Sequence, residues 1–276
     1  MTRLPGACDT HVHVYDQRYP LSATTVLTPP DASVDDYRAV QAELGLERVV
    51  FVQPTTYGLD NRCQLDAVAE VGSRARAVVV VDDRADADTI ARLAQQGAVG
   101  VRFHMLPGGA VPWEMLSPVA RTIADHGWHV QLQLNGRELP ERLDALLDLP
   151  TPLVIDHVGR FTPPVRVDEP AFGALLTLIE TGRCWVKLSA PYESTTEGAP
   201  DYPAVATLAH RLIEVAPERM LWASNWPHPS QTAPVPNEHV NRLLDAWLPT
   251  AELQQQVLVD NPAEVYGFPS ITKETS

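Results

Sequence analysis

Cysteine is scarce in this chain, and basic residues are outnumbered by acidic ones. Three cysteines, Cys8, Cys63 and Cys184, stand in 276 residues. Their odd number and wide spacing supply neither a disulfide framework nor a thiolate metal cage. A reducing compartment fits that usage, and the cytoplasm is the expected location. No stretch approaches the ~20 apolar residues of a membrane span. Met1–Gly6 carries no apolar run before Cys8, so no secretory leader is expected. Lysine and arginine total 21 against 35 acidic residues, a net charge of −14. Such a field repels nucleic acid and anionic membrane surfaces, and neither is an expected partner. A local arginine cluster can still override it for a small anion. Internal repeats and low-complexity stretches are absent, and the six tryptophans are too scattered to define an interface, although homo-oligomerisation is compatible with this reading.

What the chain does have is alternation. Eight short runs rich in β-branched residues recur along it: Cys8–Val14, Arg48–Gln53, Ala77–Val81, Gly100–His104, His129–Leu134, Leu153–His157, Cys184–Leu188 and Met220–Ser224. Nearly continuous apolar stretches such as Val78–Val81 suit strands buried on both faces of a parallel sheet. Between them, Asp35–Leu44, Ala87–Gln96, Ala171–Thr181 and Val205–Val215 carry apolar residues at helical spacing, with Asp82 and Asp83 read as capping a helix start and Gly97 and Gly127 as following helix ends. Eight strand–helix units in 276 residues predict one domain, residues 1–276, folded as a (β/α)₈ TIM barrel, a fold of about 250 residues. The rival is a doubly wound open sheet. If it bound a dinucleotide, it would need a glycine-rich turn after its first strand, and Val12–Tyr15 contains none.

In a barrel, loops after the C-terminal strand ends build the active-site mouth. The longest such loops follow strands one, seven and eight. Polar residues recur at the same ends. His11 and His13, two apart on strand one, face the same side and can bind a divalent metal or a carboxylate. His157 closes strand six, with Arg160 on the loop beyond. Arg102 and His104 close strand four, Gln131 and Asn135 strand five, and Lys187 strand seven, followed by Tyr192 and Glu193. Asn225 and His228 close strand eight. A structural core has no need of polar residues at one end only, so these are read together as a functional constellation.

The segments Asp9–His13, Asp156–Arg160 and Asn225–His228, in this order, resemble the amidohydrolase superfamily, in the branch of 2-pyrone-4,6-dicarboxylate lactonase and D-galactarolactone isomerase. The resemblance covers essentially the whole chain. It implies a site at the barrel mouth acting on a lactone carbonyl. Most of the branch carries a catalytic aspartate where this chain has Asn225, and an amide neither serves as a base nor binds metal as a carboxylate does. Asn225, Leu106–Val111 and Tyr192–Ser194 are similar to the isomerase, whose first motif lacks the first of the two histidines present here. Glu193 stands where the dicarboxylate lactonase has a cation, which points away from a pyrone dicarboxylate.

The resulting expectation is hydrolysis of a carboxylated or sugar-acid lactone, with ring migration by an isomerase and a non-catalytic sugar-acid-binding barrel as alternatives. His11, His13 or His157 polarises the carbonyl, Arg102 and Arg160 hold a carboxylate, and Glu193, then His228, serves as base. No cofactor or metal is expected. Zn²⁺ on His11, His13 and His157 is the alternative.

Overall fold

The computed structural model describes residues 4–269. Eight strands run parallel in the order of the sequence: β1 (Cys8–Val12), β2 (Arg48–Val52), β3 (Ala75–Val79), β4 (Ala98–His104), β5 (His129–Gln133), β6 (Leu153–Ile155), β7 (Cys184–Leu188) and β8 (Met220–Trp222). Eight helices follow them in turn: α1 (Val34–Leu44), α2 (Arg62–Val71), α3 (Ala87–Gln95), α4 (Leu116–Ala124), α5 (Leu139–Leu147), α6 (Pro170–Glu180), α7 (Pro203–Val215) and α8 (Asn237–Trp247). The first and last strands meet through the Thr10 hydroxyl, which donates to Trp222 O at 2.8 Å. Just above, Asn225 N donates to His11 O at 3.1 Å and His13 N to Trp226 O at 2.9 Å. The sheet is thereby drawn into a barrel, as the eight-fold alternation predicts.

Strand residues alternate between the helical layer and the lumen. Val49, Phe51, Val101, Phe103, Val130 and Leu132 join the large core between strands and helices. Cys8, Val50, Val52, Val78, Val154, Trp185 and Leu221 form a separate apolar cluster with Tyr266 and Phe268 from the C-terminal segment. This is the lower barrel. The guanidinium groups of Arg48 and Arg76 lie 5.1 and 4.6 Å from the Phe268 ring centroid, fixing the segment as a plug. Gly100 belongs to this layer, where a Cβ would come within 2.5 Å of the His129 imidazole. Above it the same strands turn polar, with Arg102 beside Gln131 and His104 beside Gln133 in register.

Most strand ends fall within two residues of the sequence reading, and three differences have a visible local cause. β3 ends at Val79 rather than Val81, because Asn61 takes over the backbone at Val80. Its Oδ1 accepts from Val80 N and its Nδ2 donates to Val80 O, both at 2.8 Å. The cap of α3 is Asp86, whose side chain accepts from Thr89 N, while Asp82 is held by Arg84 in the preceding turn. β6 stops at Ile155, and His157 belongs to a tight turn beyond it.

Candidate active site

The site begins one layer below the mouth, on a buried charge. Asp156, the first residue after β6, is fully enclosed. Its carboxylate lies 3.3 Å from His11 Nδ1, 3.6 Å from Lys187 Nζ and 3.8 Å from Arg102 Nε, and it accepts from Gln131 Nε2 at 3.1 Å. Burial alone would raise its pKa, but the surrounding cationic and imidazole groups outweigh burial and hold it well below the usual range. Burial lowers Lys187 to about 8, so the ammonium stays mostly charged at neutral pH. It donates to Thr10 O at 2.8 Å and Gln131 Oε1 at 2.7 Å. The network locks β1, β5, β6 and β7 together at one height. His11, Gln131 and Lys187, expected at the site, lie in this sealed floor and not on the cavity wall.

Above the floor opens a cavity of about 310 Å³ at the C-terminal mouth. His13, Tyr15, Arg102, His104, Gln133, His157, Arg160, Glu193, Asn225 and Ser230 give it its polar surface, and Val26, Leu27 and Leu106 cover it. His13 Nδ1 lies 2.7 Å from Val52 O and its Nε2 3.2 Å from His11 Nε2. Since Val52 O can only accept, His13 carries its proton on Nδ1, and its Nε2 lone pair meets the Nε2–H of His11. The His11 and His157 rings are 4.9 Å apart, and His13 and His157, from the first and sixth strand ends, line the cavity together with Asn225.

Burial lowers His157 to about 4, leaving a neutral ring whose Nδ1 sits 2.8 Å from Ser189 Oγ. Burial likewise lowers His104 to about 3. Arg160 Nε donates to Glu193 Oε2 at 3.2 Å, while its terminal nitrogens take no partner among the described residues. The other Glu193 oxygen accepts from Ser230. Burial would raise the Glu193 carboxyl, but His157, Ser230 and Arg160 bring it below its ordinary value.

The backbone is strained around this cavity. His157, Val158, Arg160, Asn225 and His228 all have φ between 45° and 62°. Left-handed φ is tolerated by asparagine but unusual for a β-branched valine. Strain of this kind persists where surrounding structure over-determines the chain, and it clusters at functional sites.

Three expected residues lie elsewhere. Asn135 clasps the neighbouring loop, accepting from Thr162 N and donating to Thr162 O, each at 3.2 Å. β5 ends at Gln133, so the alternation that places Gln133 in the cavity no longer applies two residues on. Tyr192 and His228 line a second, mainly apolar cavity of about 440 Å³ between the β7 and β8 loops, behind Asn225. Conversely, Asp156, Gln133, Ser189 and Ser230 were not singled out. Asp156 and Gln133 do follow the inward parity of their strands, whereas nothing local marks Ser189 or Ser230. Asp9, in the first motif, is a clasp between strand ends, accepting from Ser224 N at 3.0 Å and from the Ser224 and Tyr37 hydroxyls.

Among the described residues, one set of metal-binding side chains brings its donor atoms within 4.8 Å of one another: His11, Asp156 and His157. His13, expected as a zinc ligand, reaches that set through His11.

Comparison with known proteins agrees with the barrel fold. The model of a family described as amidohydrolase matches residues 8–268. A D-galactarolactone isomerase from Agrobacterium fabrum is 36% identical, over 95% of this chain and 91% of the relative. A 4-sulfomuconolactone hydrolase from Hydrogenophaga intermedia is 34% identical, over 95% and 89%. A ligand-free crystal structure from Agrobacterium tumefaciens, 34% identical, superposes with a TM-score of 0.92 over 98% of this chain and 99% of that one.

Proposed function

The chain belongs to the amidohydrolase family, and we propose that it opens a sugar-acid lactone bearing a free carboxylate by attack of water on the ring carbonyl. The observation that carries this reading is the pairing, on one cavity wall, of a neutral His157 with an Arg160 whose guanidinium fork is unsatisfied. The chain as a whole is acidic, yet Arg102 and Arg160 face this cavity against Glu193 alone. An anionic small molecule is the complement.

The hydrogen bonds support the following roles. With Ser189 taken as the donor to His157 Nδ1, Nε2–H is free to bond the carbonyl oxygen and the oxyanion that develops on it. Arg160 takes the substrate carboxylate as a bidentate pair. Glu193 accepts a proton from the attacking water and returns it to the ring oxygen as the carbon–oxygen bond breaks. A second reading, ring migration, is favoured by Asn225. With no carboxylate at that position to activate water, a hydroxyl of the substrate itself is the competing nucleophile, and the isomerase relative acts on such a molecule.

A resident Zn²⁺ suits part of the donor set and not the charge. Two ligands on tetrahedral zinc sit about 3.3 Å apart, close to the 3.2 Å between His11 and His13 Nε2. The carboxylate beside them, however, already faces Lys187 and Arg102, and the strand-eight position is an amide. A dication there would lie against two fixed cations, and the cavity's other carboxylate, Glu193, is already paired with Arg160. The chemistry is therefore assigned to the side chains alone.

Purified protein offered a panel of sugar-acid lactones tests the proposal, with acid release followed by pH indicator and products by proton NMR. Open acid supports hydrolysis, and a migrated ring supports isomerisation. An unchanged panel, with or without added zinc, would leave a binding barrel.

A further inference from the structure

Tyr192 and His228 remain outside the chemistry just described, yet they are joined to it by an unbroken chain of hydrogen bonds. Asn225 Nδ2 donates to Tyr192 Oη at 3.0 Å, and Tyr192 Oη lies 2.8 Å from His228 Nδ1. Asn225 and His228 are buried and Tyr192 is half-buried, and of the three only Asn225 lines the main cavity. The backbone holds both ends in place. Asn225 N is tied to His11 O at 3.1 Å, and His228 N donates to Asn225 O at 2.7 Å, closing a turn whose first and last residues have φ of 62° and 61°.

A carboxamide has two chemically opposite ends, and which one faces the substrate decides whether the site offers an acceptor or a donor. Here the direction of the chain decides it. Tyr192 receives the amide N–H, so its own proton goes to the acceptor within reach, His228 Nδ1. His228 must then carry its proton on Nε2. Turning the amide over would require the reverse of each link: Tyr192 donating to Asn225 Oδ1, and His228 donating from Nδ1.

We infer that Tyr192 and His228 are positioning residues, a relay that fixes the Asn225 carboxamide with its oxygen towards the cavity. The site then presents an acceptor for a substrate hydroxyl or the attacking water. This rests on the cavity being the lactone site, but the relay itself can be read without turnover. Nitrogen NMR on ¹⁵N-histidine-labelled protein, with His228 assigned by the resonances lost in His228→Asn, reports the tautomer. Protonation on Nε2 is expected in the wild type. In Asn225→Asp the carboxylate has no N–H to give, so Tyr192 must donate to it and His228 must protonate on Nδ1. A His228 already protonated on Nδ1 in the wild type, or unchanged by Asn225→Asp, overturns the relay whether or not any lactone reacts.

Kinetics supply the second arm. Tyr192→Phe removes the oxygen and keeps the ring, and it is expected to lower kcat about tenfold to a hundredfold with KM within about twofold in a protein that remains folded. His228→Asn, which keeps an acceptor near the Nδ1 position, should recover most of the activity that His228→Leu loses. Equal loss in both variants, or an unaltered kcat in Tyr192→Phe, contradicts the positioning role.

Discussion

His157 and Arg160 sit three residues apart on one strained turn, and the two substitutions there should separate cleanly. His157→Gln removes the ring proposed to face the carbonyl. Loss of one oxyanion donor costs on the order of 10²- to 10³-fold in kcat, and that drop with little change in KM is expected in steady-state assays. Arg160→Ala removes charge-assisted bonds of roughly 1.5–3 kcal/mol. KM for a carboxylated lactone should rise about tenfold to a hundredfold, while a lactone without the carboxylate loses little. At this scale the histidines were legible because two positions apart on a strand means one face. Tyr192 and His228 were legible as strand-end polar residues but not in their facing. Each lies in a loop whose left-handed turns, at Ala190 and at Asn225, redirect the chain, and no periodicity reports such a turn.

The strands carry their information in layers. Apolar side chains fill the lower lumen, the Asp156 network crosses the middle, and the cavity residues stand on top. Asp156→Asn would leave Lys187 and Arg102 buried without their anion. Removing one partner of a buried charge pair costs about 3–5 kcal/mol, and urea denaturation should show a loss of that size, well above the effect of an exposed Asp168→Asn. A loss below about 1 kcal/mol would mean the middle layer is not a structural unit. The alternation that predicted eight strands also contained this layer, since Arg102, Gln131 and Lys187 all fall on inward positions. It could not reveal that Asp156 gathers them, because that meeting depends on four strands reaching the same height, and register between strands is not written in any one of them.

For the whole molecule, buried neutral histidines set the response to acid. Burial lowers His104 and His129 to about 3 and His157 and His228 to about 4, against an ordinary value near 6.5. The unfolded chain therefore binds protons that the folded chain refuses as pH falls from about 6.5 towards 4. Stability is fully present above that window and declines through it, by on the order of 3 kcal/mol per histidine at the lower end. Asp9, raised by burial to about 6, works in the opposite direction, but it is one group against these four and against His11 and His13, which burial also lowers. With total stabilities of about 5–15 kcal/mol, the melting temperature should fall steeply between pH 6.5 and 4.5. A flat profile across that range would contradict the burial of these rings. The barrel itself was legible from the spacing of eight apolar runs. The plug of Tyr266 and Phe268 at its base was not, because it depends on contacts with strand residues far away in the sequence.

The claim that binds these scales is that the cavity above Asp156 converts a lactone with His157 at the carbonyl. The most direct measurement is proton NMR of a carboxylated sugar lactone incubated with wild-type protein and, in parallel, with His157→Gln, both treated with chelator. Conversion by the wild type to the open acid or the migrated ring, slowed at least about a hundredfold in the variant, is the predicted result. Equal conversion by the two proteins would contradict it.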